Sequence, residues 1–304
     1  MRNLLLEYDG SFAQSAHDLG NVSAERHHIK LSDETPFKQR HRRIPPSQYD
    51  EVRALLKEMV DAGAIRESHS QFAQPIVLVR KKDGTLRLCI DFRTLNKRTI
   101  KDNFPLPRIE DTLDALYGAQ WFSSLDLKSG YWQIEMEEAD KPKTAFTTPL
   151  GFFECNRMPF GLTNAPATFQ RLMERCMGDL NLKQCLVYLD DIIVYSATFE
   201  EHLVRLSSVF ARLAEYGLKL KPTKCCLLRR HVNYLGHVIS ADGVATDPSK
   251  TEALKTWPVP KDAAELRSFL GFAGYYRRFV KDYSKIAQPL NALLGGPPKK
   301  KQGR

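Results

Sequence analysis

The stretch CLVYLDDIIVYS, residues 185–196, places two adjacent carboxylates inside the most hydrophobic segment of the chain. Apolar, aromatic and β-branched residues flank Asp190 and Asp191 on both sides. Burying an unpaired carboxylate is costly, and two neighbouring carboxylates also repel each other. We therefore predict a β-hairpin whose tight turn, Leu189-Asp190-Asp191, exposes both acids at the end of a packed sheet, where a hard divalent cation neutralises them.

A third acid stands in a matching context upstream. Asp126, in the segment SSLDLKSG, ends an apolar strand and precedes the turn residues Ser129 and Gly130. The intervening chain is long enough for a loop and a helix, so the two strands can be neighbours in one antiparallel sheet. Three carboxylates meeting there would hold two Mg²⁺ ions, with Mn²⁺ as an alternative, about 4 Å apart for in-line phosphoryl transfer.

Two other interpretations of the aspartate pair remain open at this point. Most adjacent aspartates are solvated turn residues, although apolar strands on both sides make this less common. A nuclease with an Asp-Asp-Glu site also needs three acids, but Glu200 and Glu201, which follow the pair, fit a helix cap better.

Composition narrows the class of protein. The chain has 304 residues, enough for two or three subdomains, and a net charge of +9, which permits a polyanionic partner. Six scattered cysteines without a C-x-x-C pair argue against zinc and for a reducing intracellular compartment, cytoplasmic or nuclear. No segment has the length of a signal sequence or a membrane span, so we expect no membrane partner.

The segment PIVLVRKKDGTLRLCIDF, residues 75–92, predicts a second hairpin with Asp83-Gly84 as its turn. Lys81, Lys82 and Arg87 then lie close together near the tip. A basic cluster of this kind either contacts an anionic ligand or is a solvated turn, and the local pattern does not decide between the two.

Helices are predicted between these hairpins from apolar periodicity and capping residues. The proposed caps are Ser47 with Asp50, Asn164, Thr198 with Glu201, and Asp262 with Glu265. One helix carries an apolar stripe of Phe169, Leu172, Met173, Cys176 and Met177. The segment VNYLGHVIS predicts a short strand pair. Because strands and helices interleave irregularly, the fold class is α+β.

The chain closely resembles the reverse transcriptases of Gypsy-type LTR retrotransposons. The resemblance covers about residues 40–294 and follows the family order of motifs. These motifs include VLVRKKDGTLRLCIDFRTLNKRTI, FSSLDLKSGYWQI, MPFGLTNAPATFQRLM, LVYLDDIIVYS, NYLGHVIS and ELRSFLGFAGYYRRFVKDYSKIAQPLNALL.

The resemblance implies a right-hand polymerase with fingers, palm and thumb subdomains and an antiparallel palm sheet. The expected boundaries are an extended leader at 1–46, fingers at 47–117 and 142–165, palm at 118–141 and 166–243, thumb and the start of a connection at 244–294, and a disordered basic tail at 295–304.

The same resemblance implies the roles of individual residues in an RNA-directed DNA polymerase that transfers nucleotides from dNTPs to the 3′-hydroxyl of a primer on an RNA or DNA template. The metal-binding catalytic residues are Asp126, Asp190 and Asp191. The expected dNTP-binding residues are Lys81, Arg87, Tyr131, Phe160 and Lys224, with Tyr131 as the gate against a ribose 2′-hydroxyl and Lys224 as a proton donor. Tyr234, Leu235 and Gly236 match the primer grip, and Arg277, Arg278 and Lys281 lie on an expected thumb helix at 265–280 that contacts the duplex backbone.

The segment after Leu294, GGPPKKKQGR, does not resemble the start of RNase H. We therefore expect a fragment of a pol polyprotein, or a truncated reading frame, that does not degrade RNA by itself. Its oligomeric state is left open by the sequence. Two rival functions are a catalytically silent nucleic-acid-binding remnant of a retroelement and, more remotely, a protein that recruits partners through its basic tail.

Overall fold

The computed structural model describes residues 1–15, 17–81 and 84–295 of the chain. They belong to two compact units, of which the first comprises Met1–Arg230 and the second begins at His231. Helices and strands interleave irregularly along the sequence. The predicted α+β class is confirmed.

The described residues form nine α-helices and fourteen β-strands. The helices are α1 (Arg2–Glu7), α2 (Tyr49–Asp61), α3 (Arg93–Arg98), α4 (Ile109–Asp114), α5 (Ala165–Met177), α6 (Phe199–Glu215), α7 (Pro248–Lys255), α8 (Ala263–Tyr275) and α9 (Tyr283–Leu293). The strands are β1 (Val22–His27), β2 (Ile65–Glu67), β3 (Gln74–Arg80), β4 (Leu86–Ile90), β5 (Trp121–Asp126), β6 (Ile134–Met136), β7 (Phe146–Thr148), β8 (Gly151–Cys155), β9 (Cys185–Tyr188), β10 (Asp191–Ser196), β11 (Cys226–Arg229), β12 (His231–Tyr234), β13 (His237–Ser240) and β14 (Gly243–Thr246). In this part of the chain, no helix combines the length and the apolarity that crossing a membrane requires.

The first unit contains a four-stranded antiparallel sheet with strand order β11-β5-β10-β9. Every residue of β10 from 192 to 196 is buried. Because successive side chains of a strand point to opposite faces, both faces of this strand are covered. Helix α6 packs against β10 and β5, and α5 packs against β9. The predicted hairpin of β9 and β10 and the antiparallel sheet are confirmed.

Helices α5 and α6 follow the predicted amphipathic pattern. The apolar stripe of α5 is buried along its whole length: Phe169, Leu172, Met173, Cys176 and Met177. Thr198 caps α6, since its hydroxyl accepts a hydrogen bond of 3.2 Å from the backbone N–H of Glu201. Asp262 caps α8 in the same way. These two caps are confirmed.

The predicted capping box of α2 is wrong, whereas Asn164 does occupy the predicted N-cap position of α5 but forms no side-chain capping bond. Helix α2 begins at Tyr49 without a side-chain cap, because a 3₁₀ turn leads directly into it, so Ser47 and Asp50 form no capping box. Asn164 does precede α5, but its side-chain oxygen accepts a hydrogen bond from the backbone N–H of Asp102 instead of capping the helix. The amide therefore stabilises a distant loop.

A five-stranded sheet in the first unit, with order β2-β8-β7-β3-β4, contains the second predicted hairpin. Strands β3 and β4 are antiparallel, with Val79 opposite Arg87. Lys82 and Asp83, which belong to the predicted turn, lie outside the described residues. The same is true of residues 296–304 of the predicted basic tail.

The N-terminal segment is folded against the rest of the first unit, and the prediction of an extended leader at 1–46 is wrong. It contains α1 and β1, and β1 pairs in parallel with β6. Val22 and Ile29 are buried, and the ring of Phe12 lies 5.6 Å from the ring of Phe210 in α6. Its apolar residues are spaced too irregularly to show a helix or strand period, although they fill the core.

The second unit contains a three-stranded antiparallel sheet, β12-β13-β14, which confirms the predicted strand pair. Helix α7 was not predicted. Helix α8 ends at Tyr275, so the expected continuous helix at 265–280 is too long. A 3₁₀ turn at Arg277–Phe279 follows, and Asp282 adopts a left-handed backbone with φ of 56°. The aromatic and β-branched residues of this segment favour a helix weakly, and a left-handed residue cannot continue one.

Replacing Phe210 by alanine is expected to lower the free energy of unfolding of the first unit by about 3–5 kcal/mol. Phe210 is fully buried, and its ring contacts those of Tyr8 and Phe12 from the N-terminal segment. Urea unfolding followed by circular dichroism measures the loss. Val204→Ala is the matched control, because Val204 lies in the same helix but is 67% exposed, and its cost should stay within about 0.5 kcal/mol. Equal losses in the two variants would contradict this packing.

Candidate active site

Asp126 and Asp191 face each other across two neighbouring strands. Strand β5 ends at Asp126, β10 begins at Asp191, and the antiparallel register pairs the two residues directly. Asp190 lies in the turn immediately before β10. The structure thus brings together, at one end of the sheet, the three aspartates that the sequence singled out.

The turn before β10 is held by a residue that the sequence analysis missed. Leu189 has a φ of 55°, an uncommon backbone conformation for a residue with a side chain. Its N–H donates a hydrogen bond of 2.9 Å to Oε1 of Gln170, which is fully buried in α5. The indication in the sequence is a glutamine directly beside Phe169, the first residue of the apolar stripe of α5. Gln170 fixes the position from which Asp190 projects.

Burial and mutual repulsion disfavour the charged forms of both acids in the hairpin. Burial raises the pKa of Asp190, and the nearby charge of Asp126 raises it further. The pKa of Asp191 is raised from 3.8 to about 6, first by burial and then by repulsion from Asp190 and Asp126. Lys224 acts in the opposite direction on both. The site therefore concentrates negative charge that an added cation would stabilise.

Lys224 contacts this group directly. Its Nζ lies 2.9 Å from Oδ2 and 3.2 Å from Oδ1 of Asp126. The short 3₁₀ segment that carries Lys224 is attached to the end of β5, because the N–H of Lys221 donates to the carbonyl of Asp126. The predicted proton donor thus lies beside a predicted metal ligand, paired with it as a cation.

Three of the predicted dNTP-binding residues form a contact chain that leads to the aspartates. The guanidinium of Arg87 lies 5.0 Å from the ring centroid of Phe160, and that ring lies 5.0 Å from the ring of Tyr131. Tyr131 also packs on Phe169 at 5.3 Å. Burial, followed by the charge of Asp190, raises the pKa of the Tyr131 phenol to about 12. Tyr131 is thus held from two sides near Asp190.

Gly130 allows this close approach. A Cβ at this position would lie 3.2 Å from Cβ and 3.3 Å from Oδ2 of Asp190. Lys81, in contrast, lies directly after β3, where its N–H donates to the carbonyl of Thr85, and its side chain is exposed. None of the described contacts places the side chain of Lys81 beside Asp190.

The remaining predicted residues belong to the second unit. Tyr234 is buried at the end of β12, and Leu235 and Gly236 form the turn to β13. Arg277 and Arg278 lie in the 3₁₀ turn after α8, where the guanidinium of Arg278 stands 5.6 Å from the ring of Phe279. Lys281 follows this turn and is exposed.

The donor chemistry of the three aspartates fits a hard divalent cation, because carboxylate oxygens are its preferred ligands. Such an ion would also offset the burial and the mutual repulsion that raise the pKa values of Asp190 and Asp191. As the side chains stand, no three His, Cys, Asp or Glu residues in the described ranges form a group that could hold a metal ion. Asp126 is engaged by Lys224 instead. Shared coordination therefore requires that this ion pair open.

Comparison with known proteins identifies the family. The family described as reverse transcriptase (RNA-dependent DNA polymerase) matches residues 79–239, more than half of the chain. This chain belongs to that family. The match spans β5, β9 and β10 and therefore includes all three aspartates.

The similar curated proteins are retrotransposon polyproteins. The retrovirus-related Pol polyprotein from transposon 297 of Drosophila melanogaster is 38% identical over 97% of this chain, and that from transposon gypsy is 40% identical over 81%. The chain spans 28% and 24% of their respective lengths. The predicted resemblance to Gypsy-type elements is confirmed.

Solved structures confirm the right-hand polymerase fold. A foamy viral protease-reverse transcriptase in complex with double-stranded DNA superposes with a TM-score of 0.87 and 28% identity, over 96% of this chain and 51% of that one. The same type of viral protein in complex with an RNA/DNA hybrid gives a TM-score of 0.83 and 28% identity, over 96% of this chain and 39% of that one.

Asp191→Asn is expected to raise the melting temperature at pH 7.5, without divalent cations, by about 2–4 °C, or about 1 kcal/mol. The folded chain holds the pKa of Asp191 at about 6, above its ordinary 3.8, so ionisation opposes folding above pH 6. This penalty disappears as the pH falls from 6 towards 3.8. We expect a gain in stability smaller than the full pKa shift of Asp191 would give, because solvent partly screens this carboxylate.

Thermal unfolding in chelator at pH 7.5 and pH 4 measures this gain, which should shrink at the lower pH. Asp179→Asn is the control, because that carboxylate is 70% exposed. A gain of the same size at both pH values would contradict the assignment to ionisation of Asp191.

Proposed function

We propose that this chain is the RNA-directed DNA polymerase of an LTR retrotransposon and transfers nucleotides from dNTPs to the 3′-hydroxyl of a primer. The observation that carries the proposal is the register that sets Asp126 opposite Asp191, with Asp190 in the adjoining turn. Membership of the reverse transcriptase family and intact aspartates support turnover over a catalytically silent remnant. Such an enzyme works inside the cell, in the cytoplasm or the nucleus.

Asp126, Asp190 and Asp191 would hold two Mg²⁺ ions, or Mn²⁺ in their place. The ions supply Lewis-acid activation of the attacking hydroxyl and stabilise the charge of the leaving pyrophosphate. The chain's own contribution is to hold the oxygens at the end of β5 and in the turn that Gln170 fixes. Strand β10 is buried on both faces, and this packing holds the backbone that carries the carboxylates in one position.

The incoming dNTP is recognised by residues of the contact chain described above. Arg87 supplies positive charge for the triphosphate, and Lys81, which lies outside that contact chain, adds to it. Phe160 and Tyr131 form an apolar wall for the sugar and base, and the Tyr131 ring blocks a ribose 2′-hydroxyl. Lys224, once it leaves Asp126, donates a proton to the pyrophosphate.

Residues of the second unit bind the nucleic acid. Residues 234–236 hold the primer end, and Arg277, Arg278 and Lys281 contact the duplex backbone. The solved relatives are complexes with double-stranded DNA and an RNA/DNA hybrid, which supports this class of partner. Fingers at 47–117 and 142–165, palm at 118–141 and 166–243, and thumb from 244 remain the proposed subdomains, with residues 1–46 added to the body of the first unit.

Asp126→Asn, Asp190→Asn and Asp191→Asn are each expected to reduce primer extension on poly(rA)/oligo(dT) with Mg²⁺ by at least about 100-fold. Each change removes a negative oxygen donor while keeping the shape of the side chain. Asp179→Asn, which alters an exposed carboxylate paired with Arg212, should retain full activity. Template binding without extension by the unaltered chain, and no effect of Asp190→Asn, would reject the enzyme and favour the silent remnant.

Tyr131→Ala is expected to increase incorporation of ribonucleotides relative to deoxyribonucleotides by about 10-fold or more. Removing the ring opens space beside Phe160, where the 2′-hydroxyl would lie. Tyr131→Phe is the matched control, because it keeps the ring and should keep the discrimination. The ratio of kcat/KM for rNTP and dNTP measures the effect, and an unchanged ratio in Tyr131→Ala would refute the role as a gate.

A further inference from the structure

The hairpin turn between β12 and β13 has an unusual backbone. Leu235 and Gly236 are consecutive residues in the left-handed region, with φ values of 47° and 75°. Two such residues form the tight turn that suits a twisted hairpin, but a leucine there is strained, whereas Asn or Gly adopts it readily. Strain of this kind persists only where surrounding contacts hold it, and it is concentrated at functional sites.

Two tyrosines of the same unit hold this turn through its carbonyl groups. The hydroxyl of Tyr275 donates a hydrogen bond of 2.7 Å to the carbonyl of Leu235, and the hydroxyl of Tyr276 donates one of 3.2 Å to the carbonyl of Gly236. A Cβ on Gly236 would lie 2.9 Å from the Tyr276 hydroxyl, so the glycine is needed for this contact as well as for its φ. Both carbonyls of the turn are thereby bonded to adjacent side chains.

His237 completes the support. Its Nδ1 lies 2.9 Å from the carbonyl of Leu235, and because a carbonyl only accepts, Nδ1 carries the proton. The imidazole is buried and packs within 6 Å of the rings of Tyr275, Tyr276 and Phe279. The turn therefore rests on an aromatic cluster at the end of α8, and it cannot move without disturbing that cluster.

We propose that Tyr275 and Tyr276 are positioning residues that set the conformation of the Leu235–Gly236 turn and, through it, the alignment of the primer 3′-end. This inference rests on the proposed function, in which residues 234–236 hold the primer strand. The two tyrosines directly precede Arg277 and Arg278 in the sequence. The segment that contacts the duplex backbone and the turn that contacts the primer end are thus linked by two hydroxyl groups.

The alternative is that the hydroxyls only stabilise the second unit. Tyr283 provides a matched control, because its hydroxyl also donates to a backbone carbonyl in this unit, that of Leu270 at 3.4 Å, which is not part of the turn. Tyr→Phe changes at positions 275, 276 and 283 each remove one hydroxyl and leave the ring packing intact.

The test is single-turnover extension of a primer–template with saturating enzyme, across a range of dNTP concentrations. For Tyr275→Phe and Tyr276→Phe we expect the maximal rate of nucleotide addition to fall by about 3–10-fold, and further in the double variant, because a misaligned 3′-hydroxyl reacts more slowly. The dNTP concentration at half-maximal rate and the reaction amplitude should remain unchanged, and the melting temperature should fall no further than in Tyr283→Phe, which also loses one hydrogen bond. Tyr283→Phe should match the unaltered chain in maximal rate, half-maximal dNTP concentration and amplitude.

A purely structural role predicts a different result. Partial unfolding lowers the amplitude and the melting temperature and leaves the rate of the folded fraction unchanged, and this pattern would overturn the proposal. Rates in Tyr275→Phe and Tyr276→Phe equal to that of Tyr283→Phe would also overturn it, while the proposed function stands. An unaltered chain that extends no primer at all would reject the proposed function, and the positioning role with it.

Discussion

The antiparallel pairing of β5 with β10 is the constraint on which the candidate site depends. It forces carboxylates from distant parts of the sequence into one small volume, with Asp126 opposite Asp191. Burial, and after it the repulsion between like charges, raises the pKa values of Asp190 and Asp191. The repulsion is tolerated because the apolar residues of β10, against which α6 packs, and those of β9, against which α5 packs, stabilise the sheet. A well-packed core thus maintains a local arrangement that is unfavourable without cations.

Much of this arrangement could be predicted from sequence because the informative interactions are local. Alternating and continuous apolar runs define strands, a tight turn between two such runs defines a hairpin, and Thr198 or Asp262 marks a helix start within a few residues. Asp126 could be paired with the hairpin because it too stands where an apolar strand ends and a turn begins. The reverse transcriptase resemblance then supplied what periodicity cannot, namely which residues should contact a nucleotide.

The features that the sequence did not predict arise from contacts between distant residues. Gln170 bonds to the turn before Asp190 from another element, and nothing in its own segment indicates that partner. The N-terminal segment packs through single apolar side chains such as Phe12, which leave no period. The break after α8 likewise reflects Asp282 and an aromatic cluster around a separate hairpin, and apolar spacing alone favoured one continuous helix.

The environment of Tyr131 has a consequence for how the proposed enzyme responds to alkaline conditions. With a pKa of about 12, its phenol stays neutral throughout the range in which proteins normally work. A phenolate at this position would stand beside Asp190 and close to the proposed location of a triphosphate, adding a further negative charge where several already meet. Burial first, and the charge of Asp190 second, thus keep this ring uncharged beside the proposed triphosphate, so we expect titration of Tyr131 to play no part in the pH dependence of activity in mild base.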